Sequence, residues 1–394
     1  MLDTFQVAKA RHTLGLRQAG EAFKHVISES DFNEAYNEIR TWSGYAPTPL
    51  LQLPALAQST NVEKIFYKHE GSRFGLGSFK ALGGAYAAAN VIREKISTRV
   101  GHDISISKIT SPEYADLAAK ITLVTATDGN HGRSVAWGAR RLGSPCRIYI
   151  HAEVSSSRAQ AMRDLGAEVI RVMGDYDASV AATRREAQAY GWTIVSDTSW
   201  TGYIDIPRQV MAGYGVMARE VCETMKTPPS HVFLQGGVGG LAAAVAAYFR
   251  QAWRDASPHV VVVEPELAPC LFESAENGKA TQTKIVTETL MAGLSCGEPS
   301  QLAWHILAEE ASDFLTIPES LVGPAVRLMA RPLAGDTAIE AGESGIAGLA
   351  GFVTSALQAK LREKIQITEA SRILLIGSEG ITDPEIYTNI LDEN

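Results

Sequence analysis

Cysteine is scarce in this chain: Cys146, Cys222, Cys270 and Cys296 lie scattered over 394 residues, and no two form a C-x-x-C pair. That excludes a disulfide scaffold and leaves no expectation of a metal site. Long apolar runs are missing as well. The longest, 241–249, is about half of what a membrane-spanning helix needs, so no membrane partner is expected. The first twenty residues mix charge and polarity from the third position onward and contain no apolar signal core, so the expected compartment is the cytoplasm. Positive charge is in deficit, with 36 Lys and Arg against 44 Asp and Glu, a net charge of −8 spread along the chain. This argues against nucleic acid as a partner.

What is present is a composition able to bury a large core, and a length that predicts two to three domains at roughly 150 residues each. Short β-rich runs at 64–68, 122–125, 147–150, 168–172, 231–234, 259–264 and 372–376 alternate with helical patterns at 78–95, 132–142, 155–165, 176–190, 206–224 and 239–253. Several of the strands are apolar without a period of two, which predicts burial on both faces and therefore parallel sheets in an α/β fold. Ser155 to Ser157 and Asp177 supply expected helix N-caps, and Gly166 and Gly191 expected helix ends. Residues 267–300, rich in Gly, Pro, Thr and Glu, are read as an active-site cover or connection.

Four segments carry chemistry. The first, 71–85, follows a strand and places Lys80 at the head of a glycine-rich apolar helix. A lysine there becomes a nucleophile if burial or nearby cations lower its pKa; read alone, it is first of all a solvated surface lysine. The second, Thr125-Ala126-Thr127-Asp128-Gly129-Asn130-His131-Gly132, joins a strand to a helix, where backbone N–H groups can hold a carboxylate, Asn130 offers a donor and Asp128 a base. The bland alternative is an Asx-turn with an N-cap.

The third, Gly236-Gly237-Val238-Gly239-Gly240, also joins strand to helix and lets the backbone approach a phosphate. Gly237, Gly239, Ala242 and Glu264 fit a relaxed dinucleotide fingerprint as well, so a dinucleotide-binding oxidoreductase is the rival of another class. That rival explains neither Lys80 nor the 128–130 segment. The fourth, Gly377-Ser378-Glu379-Gly380, ends the last strand, where a hydroxyl can bond to a ring nitrogen or simply close a turn.

Together, S-F-K, D-G-N-H-G, G-G-V-G-G and G-S-E-G resemble the fold type II pyridoxal-phosphate enzymes, the tryptophan synthase β family, over about residues 46–387. Within it, K-H-E-G-S-R-F-G-L-G-S-F-K-A-L-G-G (68–84), A-T-D-G-N-H-G-R (126–133), S-D-T-S-W-T-G-Y (196–203) and G-E-S-G (342–345) are most similar to the diaminopropionate ammonia-lyases. Threonine dehydratases and cysteine synthases usually carry serine or glycine where this chain has Asp128. The alternative within the fold is a serine or threonine dehydratase, and neither the G-L-G-S-F-K variant nor serine at 378, where threonine would also serve, decides between the substrates.

The resemblance implies a two-domain fold with parallel-rich sheets flanked by helices and pyridoxal 5'-phosphate in the interdomain cleft. Residues 1–90 and 212–394 would form the large cofactor domain and 91–211 the small domain that holds the substrate carboxylate. It makes Lys80 the Schiff-base lysine, with Phe79 beside it against the cofactor, residues Gly236, Gly237, Val238, Gly239 and Gly240 the phosphate cradle, Asn130 the partner of the phenolic oxygen and Ser378 that of the pyridine nitrogen. A neutral hydroxyl at that nitrogen leaves a weaker electron sink, suited to β-elimination.

The implied reaction is α,β-elimination of 2,3-diaminopropionate through aminoacrylate to pyruvate and two ammonia. Lys80 would take the α-proton from one face and Asp128 from the other, a route to accepting both the L and the D isomer. Asp197, otherwise a polar strand end, would meet the β-ammonium group, and Thr127, Asp128, Gly129 and His131 would line the substrate site. A homodimer is implied too. The resembled lyases can carry a cysteine pair near Cys270 and Cys296, although in a cytoplasmic protein two thiols are expected here.

Overall fold

All seven expected strands form, each within two residues of its expected bounds. The computed structural model describes residues 2–17, 21–127 and 129–393. In chain order the strands are β1 (Arg11–Leu14), β2 (Leu50–Gln52), β3 (Lys64–His69), β4 (Leu123–Ala126), β5 (Cys146–Ile150), β6 (Glu168–Arg171), β7 (Thr193–Ile194), β8 (His231–Gln235), β9 (His259–Pro265), β10 (Asp313–Ile317) and β11 (Arg372–Gly377). They make a seven-stranded sheet in the order β1-β10-β9-β8-β11-β3-β2 and a four-stranded sheet in the order β6-β5-β4-β7.

The small sheet is wholly parallel. The large one is parallel through its five inner strands, with β1 and β2 added antiparallel at its two edges. β8 and β10 are buried at every position, and β9 and β11 at all but their first, as parallel strands covered on both faces must be. β1, β2 and β10 had no expected counterpart: the first two are short edge strands, and Asp313 and Thr316 interrupt the apolar run of the third.

The expected helices also form. Ser155 caps Ser156–Asp164 by accepting the Arg158 N–H, while Asp175, not Asp177, caps Tyr176–Tyr190 by accepting the Ala178 N–H at 3.0 Å. Asp177 sits in the first turn, where a carboxylate suits the positive end of the helix. Gly191 ends that helix in the left-handed conformation; Gly166 follows the C-cap Leu165 rather than being it. Residues 267–300 are less irregular than expected, since the helix Cys270–Asn277 and a short turn at Ala292–Leu294 lie within them.

One contact between the two sheets' helices positions the site. Ser134, on Asn130–Arg141, donates to the Lys80 carbonyl at 2.6 Å and accepts the Ala85 N–H at 2.9 Å, both on Lys80–Val100. These helices touch backbone to backbone, because a Cβ on Gly138 would stand 2.7 Å from Ala85 Cα. The loops after β3, β8 and β11 thus share one edge of the large sheet and face the loop after β4 across a cleft, at the carboxyl ends of parallel strands, where α/β folds bind ligands. Among the described residues no helix is long and apolar enough to cross a membrane.

Candidate active site

The loop from β3 to Lys80 is held by a buried ionic cluster. Glu220 accepts from Lys68 Nζ at 2.5 Å and from Arg73 Nη1 and Nη2 at 2.8 Å each, while Arg73 also bonds both oxygens of Glu70. Burial works against the Glu220 charge, but Arg73 and then Lys68 hold its pKa below the ordinary carboxylate value. The loop then turns through Phe74 at φ 52° and is stitched to the end of β11. Phe79 N–H donates to Ser378 O, and Gly380 N–H to Gly77 O, both at 2.9 Å.

Lys80 emerges from this anchor into the cleft and donates to Asp197 Oδ2 at 2.6 Å. The sequence made nucleophilicity conditional on a lowered lysine pKa. Burial does push it down, but the Asp197 carboxylate and its hydrogen bond, with Tyr214, outweigh burial and hold Lys80 above the ordinary lysine value. Asp197 is held below the carboxylate range in turn: burial raises it, and Lys80, then His131, more than reverse that. Lys80 is therefore an ammonium paired to Asp197, not the solvated surface lysine of the bland reading.

His131 completes this group. Its Nε2 lies 2.8 Å from the Val195 carbonyl, which can only accept, so Nε2 carries the hydrogen and Nδ1 is left as a lone pair 3.8 Å from Asp197 Oδ2. Burial keeps the ring neutral by lowering its pKa. Thr127 Oγ1 accepts the N–H groups of Gly129 and Gly132, so the Gly129 N–H is committed, while the N-cap position is Gly129 itself and has no side-chain cap. Asp128 lies outside the described residues. Asn130 Nδ2 donates to Glu379 Oε2 at 2.5 Å.

In the glycine loop, Gly236 N–H bonds Val263 O at 2.9 Å and Gly239 N–H bonds Gly236 O at 3.2 Å. Those two residues serve by shape: a Cβ on Gly236 would stand 2.3 Å from Glu264 Cγ, and Gly239 has φ +92°. Among the described residues the N–H groups of Gly237 and Val238 have no backbone acceptor, and Gly240 opens the helix Gly240–Trp253, so an anion can be held here. Ser378 is buried at the end of β11 and lines the same cavity as Phe79, Lys80, Asn130, His131 and Asp197.

Several lining residues had no sequence signal of their own. Tyr214 and Arg158 belong to no motif; Gln235 borders the glycine loop without a role of its own, and Cys296 was noted only for a cysteine pair. Glu343 and Glu379 sit inside G-E-S-G and G-S-E-G but were not singled out. Arg158 Nη2 bonds Glu343 Oε1 at 2.7 Å, across the cleft.

Glu264 settles the dinucleotide rival. It is fully buried and accepts the N–H groups of Leu271 and Phe272 at 3.0 and 2.7 Å, so it offers nothing to a ribose. Residues 41–379 match the model of the family described as "Pyridoxal-phosphate dependent enzyme". The chain is 38% identical over 358 residues to diaminopropionate ammonia-lyase of Escherichia coli K12, covering 89% of this chain and 88% of that protein.

The chain belongs to the diaminopropionate ammonia-lyases, within the pyridoxal-phosphate-dependent enzymes.

Diaminopropionate ammonia-lyase of Salmonella typhimurium is 37% identical and covers 88% of each chain. The crystal structure of the holo Escherichia coli diaminopropionate ammonia-lyase superposes with a TM-score of 0.89 at 35% identity, covering 98% of this chain and 97% of that one. A second structure of that enzyme, in complex with an aminoacrylate-PLP azomethine reaction intermediate, superposes with a TM-score of 0.87 over the same shares. The fold is thus the fold type II pyridoxal-phosphate architecture expected from the motifs. The four cysteines of the present lyase are thiols, with Cys270 Sγ 3.4 Å from Gly237 O.

Proposed function

We propose that this lyase eliminates ammonia from 2,3-diaminopropionate, giving pyruvate and two ammonia molecules, with pyridoxal 5'-phosphate in the cleft. The observation that carries the reading is the Lys80–Asp197 pair facing one cavity with the glycine loop and Ser378. The residues fit the cofactor: an amine, a loop with no room for a Cβ at Gly236, open amides at Gly237 and Val238, and a hydroxyl for the ring nitrogen.

Lys80 would hold the cofactor's aldehyde carbon, with Phe79 packed beside it, residues 236–240 around the phosphate, Asn130 at the phenolic oxygen and Ser378 at the pyridine nitrogen. When bound, the cofactor supplies the electron sink for charge developing at the substrate α-carbon. Lys80, once released as an amine, takes the α-proton of one isomer from one face, and Asp128 takes that of the mirror isomer from the other. Thr127 Oγ1 accepts two amides, which leaves its own hydrogen to donate to the substrate carboxylate beside Gly129 and the helix N-terminus at Asn130.

While Lys80 holds the cofactor, Asp197 loses its ammonium partner. The carboxylate and the His131 Nδ1 lone pair then present two acceptors to the substrate's β-ammonium group, which has three hydrogens to give where serine's hydroxyl has one. This favours diaminopropionate over the dehydratase substrates. The test is pyruvate release by cofactor-loaded enzyme from diaminopropionate, serine and threonine, with Lys80→Ala as the control. Faster turnover of serine or threonine would overturn the substrate assignment.

The division into residues 1–90 with 212–394 and 91–211 is supported by the strands, since β4 to β7 fall within the second range and the other seven outside it. A cytoplasmic location is supported by the scarcity of cysteine, four in 394 residues with no C-x-x-C pair. A homodimer rests on the family relationship, and a monomeric mass by light scattering would contradict it.

A further inference from the structure

Gln235 ends β8, immediately before the glycine loop, and is 1% exposed. Its Nε2 lies 2.6 Å from Ile376 O, 2.9 Å from Gly345 O and 3.2 Å from Ser378 Oγ. Two of those three atoms are backbone carbonyl oxygens, which only accept. The amide nitrogen, not its oxygen, therefore faces all three, and the orientation of the side chain follows from the network.

An amide nitrogen has hydrogens to give and no lone pair to offer. Its two hydrogens go first to Ile376 O and Gly345 O, and Ser378 Oγ at 3.2 Å shares one of them, so Ser378 can only accept at this contact and its own hydrogen must point elsewhere. Among the described residues no acceptor takes that hydrogen, and Ser378, 4% exposed, lines the cavity. A buried hydroxyl normally finds an acceptor for its hydrogen.

We infer that Gln235 is a positioning residue: by donating to Ser378 Oγ it turns the Ser378 hydroxyl hydrogen into the cavity, so that Ser378 donates to the cofactor's ring nitrogen instead of accepting from it. The inference rests on the cofactor reading above. Its consequence is a ring nitrogen kept without a proton. Gln235 also ties the end of β11 and the 342–345 segment to the glycine loop, so ring nitrogen and phosphate are registered from one side chain.

The test compares binding of pyridoxal phosphate and its 1-deaza analogue, whose ring C–H cannot accept, to cofactor-stripped full-length protein by tryptophan fluorescence. Wild type should prefer pyridoxal phosphate by roughly 3- to 10-fold, the worth of one hydrogen bond. Ser378→Ala and Gln235→Met should each bring the ratio to about one while both ligands still bind. A Gln235→Met protein that folds and keeps the wild-type ratio overturns the inference, as does a wild type without preference.

If the Gln235 variants do not fold, the 15N shift of ring-labelled cofactor in wild type decides. An unprotonated nitrogen is expected, and a pyridinium signal overturns the inference. Wild type that binds neither ligand overturns the cofactor reading itself.

Discussion

Lys80 Nζ and Asp197 Oδ2 stand 2.6 Å apart across 117 residues of sequence, and each shifts the other's proton affinity toward the charged form. Both side chains are less than a fifth exposed. Lys80 lies in the connection that follows β3 of the large sheet, whereas Asp197 follows β7 of the small one, so the pair joins the two walls of the cleft.

Asp197→Asn leaves the Lys80 ammonium buried without its counter-charge, a change that costs about 3–5 kcal/mol in comparable pairs. The folded-state pKa of Asp197 lies below its unfolded value of about 3.9, so its stabilisation is complete above that pH and is lost as pH falls through the folded value. Calorimetry of the cofactor-stripped protein should show wild type losing Tm more steeply than Asp197→Asn below about pH 4. In turnover, the variant should raise KM for diaminopropionate more than for serine.

His131 is held neutral by burial, with its folded pKa below the ordinary histidine value of about 6.5. Stability tied to it is therefore present above that pH and declines below it, as the unfolded chain takes up a proton that the folded one refuses. His131→Gln, which keeps a donor for the Val195 carbonyl and does not titrate, should flatten the Tm profile between about pH 6.5 and 5. An unchanged slope would contradict the assignment.

Gly236→Ala places a Cβ 2.3 Å from Glu264 Cγ, and Glu264 cannot retreat without releasing the Leu271 and Phe272 amides. Cofactor affinity should fall at least about tenfold, an energy of about 1.4 kcal/mol and well within the cost of an overpacked site. Gly323→Ala, in the helix Val322–Ala330 outside the cavity, where a Cβ would meet only the flexible Arg327 guanidinium at 3.1 Å, should bind as wild type does. Equilibrium dialysis of both variants checks the contrast.

Arg158→Met removes the partner of Glu343, a carboxyl whose pKa burial, then Glu379, has already pushed up to about 8. At neutral pH it is therefore already largely protonated and accepts from Arg158 as a neutral group, and without Arg158 the cleft should lose this cross-link. Denaturant unfolding should show Arg158→Met to be more destabilising than Glu343→Gln, since the glutamine can still accept from the guanidinium. Equal losses would mean that this hydrogen bond does not hold the cleft.

Much of this was legible in the chain. The strands at 231–235 and 259–265 announce themselves because burial on both faces demands continuous apolar residues, and the glycine loop between strand and helix because only glycine tolerates φ +92° at 239 and close approach at 236. Lys80, His131, Asp197 and Ser378 were found because each sits in a motif at a strand end. Gln235 was not, since its importance lies in three partners at 345, 376 and 378. Nor was the buried cluster of Lys68, Glu70, Arg73 and Glu220, which reads as ordinary surface charge until the fold closes over it.

By itself the sequence determined the parallel α/β architecture, the four chemical segments and the family they belong to, because these depend on local periodicity, turn geometry and residue type over short spans. Only the tertiary structure decided the pairing of Lys80 with Asp197, the partner of the His131 ring, the contact of Gln235 with Ser378 and the commitment of Glu264 to a helix end. Those properties depend on which groups from distant segments are buried together, and no local pattern encodes such neighbours.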